Sequence, residues 1–209
     1  SSVWKWDTVK ANWQFYAPGL DATSLQKYVT SQGYGVLVEI SPGDGYWVQA
    51  MVQADLGSMC GSSINLRQSS LSSGWNLVST ASPISAKDFN LTLSTTPPTA
   101  GQVPINMTSL WAWDANQSNW YFYAPSLDAQ GGSVLSEYIS RSNYKDFNNN
   151  GKTLGNGVGI WVNGREGACF CAELLSNCAP VSTFLVPEID ALLSSTRHSC
   201  KSVMPRLPT

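Results

Sequence analysis

Apolar and polar positions alternate along "LWAWD" (110–114), which puts Trp111 and Trp113 on one face of a strand. After the polar stretch "ANQSN", "WYFYAP" alternates again, with Trp120 and Phe122 on one face and Tyr121 and Tyr123 on the other. Two such runs around a short polar turn predict a β-hairpin, and Pro125 ends its second strand. The period then changes. "SVLSEYIS" places Val134, Leu135, Tyr138 and Ile139 at helical spacing, with Ser133 as the candidate N-cap. "LGNGVGIWVN" closes the series as a glycine turn feeding a strand.

The same series occurs earlier in the chain. Trp4, Trp6, Asp7, Trp13, Phe15, Tyr16, Pro18, Leu20 and Asp21 align with Trp111, Trp113, Asp114, Trp120, Phe122, Tyr123, Pro125, Leu127 and Asp128, all at an offset of 107. The offset becomes 110 at Leu25/Leu135, Tyr28/Tyr138 and Tyr34/Tyr144, so three extra residues fall around Gly131 and Gly132. It becomes 114 at Gly43, Gly45, Trp47 and Val48, which answer to Gly157, Gly159, Trp161 and Val162. The extra residues lie between elements, as loop insertions do. Eight of the nine Trp belong to these pairs; the ninth, Trp75, lies in "SSGWNLVST". A stretch matching it for the first copy would precede Ser1, and "STFLVPEI" (182–189) is the candidate substitute, its Pro187 suiting an edge position.

The pattern predicts a mainly β, β-rich α+β protein of two tandem homologous units. Each is expected to be a small antiparallel sheet with one short helix, the pair related by a pseudo-twofold axis. Residues 1–50 form the first unit, 51–73 a polar inter-unit segment, 74–163 the second unit, and 164–209 an atypical tail without Trp or Tyr. The order "GWNLVS … SLWAWD … WYFYAPSLDA … LGNGVGIWVN" resembles a tandem repeat domain of bacterial secreted and cell-surface proteins, whose units run from a Gly-Trp-Asn-Leu strand to a Gly-x-Gly-Phe-Trp-Val-Asn strand. The resemblance covers residues 74–163 fully and 3–50 partly, excludes the tail, and implies no catalytic residue set.

Composition narrows the partners. Of 209 residues only 12 % are charged, and the net charge is −2. No basic stripe exists to bind phosphates, so nucleic acid is not an expected partner. No apolar run reaches the roughly 18 residues of a membrane helix, and no signal peptide opens the chain, which reads as a processed or trimmed product. Low charge, uncharged polar residues and clustered Cys fit a secreted, periplasmic or cell-surface protein. Cys60, Cys169, Cys171, Cys178 and Cys200 are odd in number, so at least one thiol has no partner within the chain, and their spacing favours disulfides or free thiols over zinc.

The candidate chemistry is sparse. Paired aromatics serve either as core, each burying roughly 150–250 Å², or as platforms for sugar rings. Trp113, Trp120, Phe122 and Trp161 and their partners are assigned to the core. Trp4, Tyr16, Trp111, Tyr121 and Tyr123 are the candidate ligand-binding aromatics. Asp7 and Asp114 suit turns, and Asp21 and Asp128 suit helix N-termini. "DFNNNGK" sets Asp146, Asn148, Asn150 and Gly151 in the order of a calcium-loop opening, but Gly157 stands where the bidentate Glu belongs, so an Asn-rich turn is the preferred reading with calcium the alternative. Asn90 and Asn106 head formal glycosylation acceptors. The sole His198 lies in the tail, and no Gly-x-Ser-x-Gly elbow is present. No catalytic residue and no cofactor is assigned.

These features point to a non-catalytic extracellular binding or adhesion module, with extracellular polysaccharide or cell-surface glycan as the leading ligand. The competing readings are an unconventional secreted hydrolase of an ester, lactone or glycoside, calcium-assisted, and a structural spacer repeat. An open strand edge in the first unit would invite a homodimer.

Overall fold

Strand β1 (Ser2–Asp7) alternates Trp4 and Trp6 with Val3 and Lys5, and a tight turn returns it into β2 (Asn12–Tyr16). The turn needs a left-handed residue, supplied by Ala11 at φ 47°. Asp21 then caps helix α1 (Ala22–Gln32) by accepting from the Ser24 amide at 2.8 Å, and Gly33 at φ 74° closes it. β3 (Gly35–Val36) and β4 (Trp47–Gln49) complete the first sheet, in the order β3-β2-β1-β4.

The chain continues through β5 (Gly74–Val78) and helix α2 (Ala86–Thr92), whose N-cap Ser85 accepts from Asp88 N. β6 (Met107–Asp114) and β7 (Asn119–Tyr123) form the second hairpin. Helices α3 (Pro125–Asp128) and α4 (Val134–Arg141), then β8 (Lys145–Asp146) and β9 (Ile160–Gly164), complete a five-stranded sheet ordered β5-β9-β6-β7-β8. This computed structural model describes residues 1–51, 66, 71–155 and 158–165, which lie in one compact unit, Ser1–Glu166.

The protein is therefore mainly β, with few and short helices. Both sheets are mixed rather than antiparallel, because β3 and β8 run parallel to β2 and β7. The cause is local: each follows a helix, and a helical crossover returns the chain in the direction it came from. Among the described residues the later region also carries three helices rather than one.

Strand registers repeat between the sheets. Trp4 faces Phe15 and Trp6 faces Trp13, as Trp111 faces Phe122 and Trp113 faces Trp120. Trp4 faces Trp47 across β1–β4, as Trp111 faces Trp161 across β6–β9. Small devices repeat too. Ser118 (φ 46°) takes the place of Ala11. Asn12 Nδ2 donates to Gly33 O at 2.7 Å, and Asn119 Nδ2 to the carbonyl of the left-handed Asn143 at 3.0 Å. Trp4 and Trp111 each donate the indole N–H to a serine two residues back, at 3.0 Å in both cases.

One face of each sheet is aromatic and divided in use. Half lies under the sheet's own helix: Tyr28 of α1 is 4.8 Å from Phe15, and Tyr138 of α4 is 5.1 Å from Phe122. The other half meets the aromatic face of the other sheet. Trp161 reaches Trp6 at 5.9 Å and Trp13 at 5.6 Å, while Trp47 reaches Trp113 at 6.4 Å and Trp120 at 5.8 Å. Each sheet thus sends one Trp between two Trp of the other. Such ring pairs add about 0.5–1.5 kcal/mol each beyond their buried area. A backbone seam runs alongside, with Gly45 N donating to Leu77 O at 3.0 Å and Ser79 N to Gly43 O at 2.9 Å.

Candidate functional site

The opposite faces of the two sheets differ. In the five-stranded sheet that face carries Leu110, Ala112, Tyr121, Tyr123 and Val162, all buried in one apolar cluster with Phe89 of α2, Leu93, Phe147 and Leu154. At the matching places the four-stranded sheet carries Val3, Lys5, Gln14, Tyr16 and Val48. Tyr16 is 42 % exposed where Tyr123 is 2 % exposed, and Val48 is 39 % exposed where Val162 is fully buried.

The exposed face is ordered by polar contacts. Lys5 Nζ pairs with the Asp44 carboxylate, which also accepts from the Ser41 amide at 2.7 Å. Gln14 Nε2 donates to Asp7 Oδ2 at 3.2 Å, and Asp7 Oδ1 accepts from the Lys10 amide at 3.0 Å. This face thus carries an exposed aromatic ring, Tyr16, and, farther along the same hairpin, an amide and carboxylates held by one another and by Lys5. Hydrogen-bonding groups beside an aromatic face suit a neutral, hydroxyl-rich ligand.

Of the five candidate aromatics, Tyr16 alone is exposed; the structure does not gather the five into one site. Trp4 is buried against Trp13, Phe15 and Tyr34, because its face is the one that α1 covers. Trp111 is half-buried among Trp120, Phe122 and Tyr144. Tyr121 is buried beside Phe147, with Lys145 and Lys152 over its ring at 5.2 and 5.9 Å. Tyr123 is buried, and its hydroxyl donates to Asp128 at 2.8 Å. Burial first, then the Asp128 carboxylate, pushes its phenol well above the usual tyrosine range. The expected exposure of Trp4, Tyr121 and Tyr123 is therefore corrected: alternation along a strand separates two faces, and in the five-stranded sheet both faces are covered.

The carboxylates serve structure. Asp114 accepts from the amides of Asn116 and Gln117, and Lys145 Nζ reaches it at 3.1 Å. The Lys145 hydrogen bond, then the turn amides, holds its carboxyl below the ordinary range. The Ser24 amide does the same for Asp21. Asp128 ends α3 instead of capping the next helix, and takes Tyr123 and Lys87 (3.3 Å) as partners. A carboxylate pair poised for acid–base work needs one member raised, whereas the two resolved shifts are both downward.

In the Asn-rich turn, Asp146 Oδ1 accepts from the Asn148 amide at 2.8 Å, and Asn150 Nδ2 donates to Asp146 O at 2.9 Å. These residues hold one another. No cluster of three His, Cys, Asp or Glu side chains suited to a metal occurs among the described residues. A hollow of about 430 Å³ adjoins this turn, lined by Pro83, Asn150, Lys152 and Thr153 among others. Both formal glycosylation acceptors are interior: Asn90 Nδ2 donates to Pro104 O at 2.7 Å, and Asn106 Nδ2 to Asn90 O at 2.6 Å. The five cysteines, His198 and "STFLVPEI" lie outside the described residues.

Sequence reading did not single out Lys5, Gln14 or Asp44. The signal was present, since Lys5 aligns with Ala112 and Gln14 with Tyr121. Among the described residues no helix is long and apolar enough to cross a membrane. Comparison with known proteins finds no matching family, no matching curated protein and no matching solved structure.

Proposed function

We propose that this protein is a non-catalytic extracellular binding module of two homologous units related by a pseudo-twofold axis. Its ligand class is carbohydrate, an extracellular polysaccharide or cell-surface glycan, bound on the open face of the four-stranded sheet around Tyr16. The twofold reading is supported by the reciprocal insertion of Trp47 and Trp161, since residue i touching j′ while i′ touches j is the signature of an isologous contact. The low charge and the resemblance to bacterial surface repeats support secretion to the cell surface.

The observation that carries the binding reading is the contrast between Tyr16 and Tyr123. Tyr16 and Tyr123 stand at matching positions of the sequence repeat; Tyr123 is sealed at 2 % exposure and Tyr16 is 42 % exposed, on a face that also carries Lys5 and Gln14. Electrophoresis through gels containing a panel of neutral polysaccharides tests it. Retardation by at least one polysaccharide is expected, lost in Tyr16→Ala and Gln14→Ala while their unfolding curves match the wild type. Uniform mobility in every gel supports the spacer reading instead, and turnover of ester, lactone or glycoside substrates supports the hydrolase.

A further inference from the structure

The dipeptide Asn-Gly occurs three times, at Asn150–Gly151, Asn156–Gly157 and Asn163–Gly164. Asn156–Gly157 lies outside the described residues. The pair has a chemistry of its own: glycine has no Cβ to hinder its amide nitrogen from reaching the neighbouring asparagine Cγ, and asparagine is a thermolabile residue. Whether that attack happens depends on what the fold does to each pair. Asn163–Gly164 ends β9, where Asn163 faces Trp75 of β5 on one side and Ser109 of β6 on the other. Both residues are buried, and a Cβ on Gly164 would run into Ser72 O. A strand paired on both edges holds the nitrogen away from the side chain and keeps water out.

Asn150–Gly151 is placed in the opposite way. It lies in the turn after β8, and both residues are exposed. Gly151 sits at φ 58°, with open space where a Cβ would be. Its amide has no acceptor among the described residues, although the amides of Asn148, Asn150 and Lys152 around it are all bonded. The Asn150 side chain is held by one bond, Nδ2 to Asp146 O at 2.9 Å, and its Oδ1 has no described partner. A single bond at an exposed turn opens readily. Nucleophile, carbonyl carbon and water therefore meet here and not at Asn163.

We propose that Asn150 is a modification site at which the folded protein deamidates, with water as the only co-reactant. Gly151 N gives up its proton to solvent and attacks Asn150 Cγ. The N–Cγ bond forms, the Cγ–Nδ2 bond breaks, and Nδ2 leaves as ammonia. Water then opens the succinimide ring at either carbonyl, leaving aspartate or isoaspartate at position 150. The product is at odds with the turn. A carboxylate replaces the amide that donated to Asp146 O, so an attraction becomes a repulsion, and isoaspartate also lengthens the main chain by a methylene. The next tie of the turn, Lys152 N to Phe147 O at 3.2 Å, is the one that loosens. The new charge stands on the rim of the hollow that Asn150, Lys152 and Thr153 line. The proposal is independent of the glycan reading.

The test holds the full chain folded in mildly alkaline buffer, samples it over days and digests it with trypsin, which separates residues 146–152 from residues 153–165. The mass gain of an amide turned into an acid is expected in the first fragment, located by fragmentation at Asn150 as both aspartate and isoaspartate. Asn163 should keep its amide. In guanidinium chloride Asn163 should react at least about tenfold faster than in the folded chain, whereas Asn150 should change by less than about threefold, because only the buried pair needs unfolding to react. Asn150→Gln should remove the gain from its fragment, and Asn150→Asp should speed hydrogen exchange at the Lys152 amide. Four results each overturn the proposal: no more gain at Asn150 than at Asn148 or Asn149, equal rates at Asn150 and Asn163 in the folded chain, equal acceleration of both by denaturant, or unchanged exchange in Asn150→Asp.

Discussion

Gly45→Ala and Gly159→Ala are the same substitution at matching places, yet they should have unequal costs. A methyl on Gly45 would sit 2.6 Å from Val78 O and 2.9 Å from both Val78 N and Leu77 Cγ. Two of these atoms are backbone, so relief requires the seam to open by roughly 1 Å to reach ordinary contact. That movement loosens two hydrogen bonds, Gly45 N to Leu77 O and Ser79 N to Gly43 O. Overpacking costs about 1–3 kcal/mol, each hydrogen bond contributes about 0.5–1.5 kcal/mol, and Gly→Ala returns about 0.4–1 kcal/mol through the unfolded chain. The net expectation is a loss of about 2–4 kcal/mol. On Gly159 the added methyl would meet Tyr46 O at 3.4 Å and Leu77 Cδ1 at 3.9 Å, both ordinary contacts. There the unfolded-state gain is unopposed, and the change should lie within about 1 kcal/mol of zero. Urea unfolding followed by tryptophan fluorescence measures both. Equal losses in the two variants, or an unaffected Gly45→Ala, would refute the claim that β5 and the Gly43–Gly45 turn form a close-packed seam.

Trp161→Ala removes a ring that is 1 % exposed and touches Trp6, Trp13 and Trp75, so a loss of about 3–5 kcal/mol by denaturation is expected, and less for the half-buried Trp47→Ala. Tyr123→Phe should cost about 1–2 kcal/mol at neutral pH, because Asp128 keeps Lys87 when it loses the phenol. Its raised pKa means that above about pH 10 the unfolded chain ionises while the native one holds its proton, so stability falls with pH, and Tyr123→Phe should flatten that limb of the unfolding profile. Asp114 behaves oppositely. Its lowered pKa gives stability that is present above about pH 4 and lost as pH falls through the folded value, so the gap between wild type and Asp114→Asn should close on acidification.

The hairpins were legible because two signals agreed: period-two aromatics and a second copy at constant offset. Those offsets of 107, 110 and 114 reappear as registers between β1, β2, β3 and β4 and between β6, β7, β8 and β9. The parallel pairing of β3 and β8 was not legible, since two-residue strands carry no period. Exposure was the larger failure. Alternation shows that Tyr121 and Tyr123 oppose Trp120 and Phe122, but not that α2, distant in sequence, covers the tyrosine side. Asp128 misled for a related reason: the expected donors, the amides of a following helix, lie beyond three extra residues around Gly131, and Tyr123 and Lys87 are its partners instead.

What the two copies share and where they differ carry separate information. Shared residues answer to the requirement common to both, which is folding: the Trp quartets, the left-handed hairpin residues, the serine-bound indoles. A duplicated ring is thus poor evidence of binding. Divergence at matched positions is better evidence, provided that burial does not explain it. Ala112 and Tyr121 are explained by the cluster around Phe89. Lys5 and Gln14 are partly buried and lie outside that cluster, and both are held by named partners, Asp44 and Asp7. A surface kept only for solubility has no need of such fixed geometry, whereas a ligand with hydroxyls to orient does.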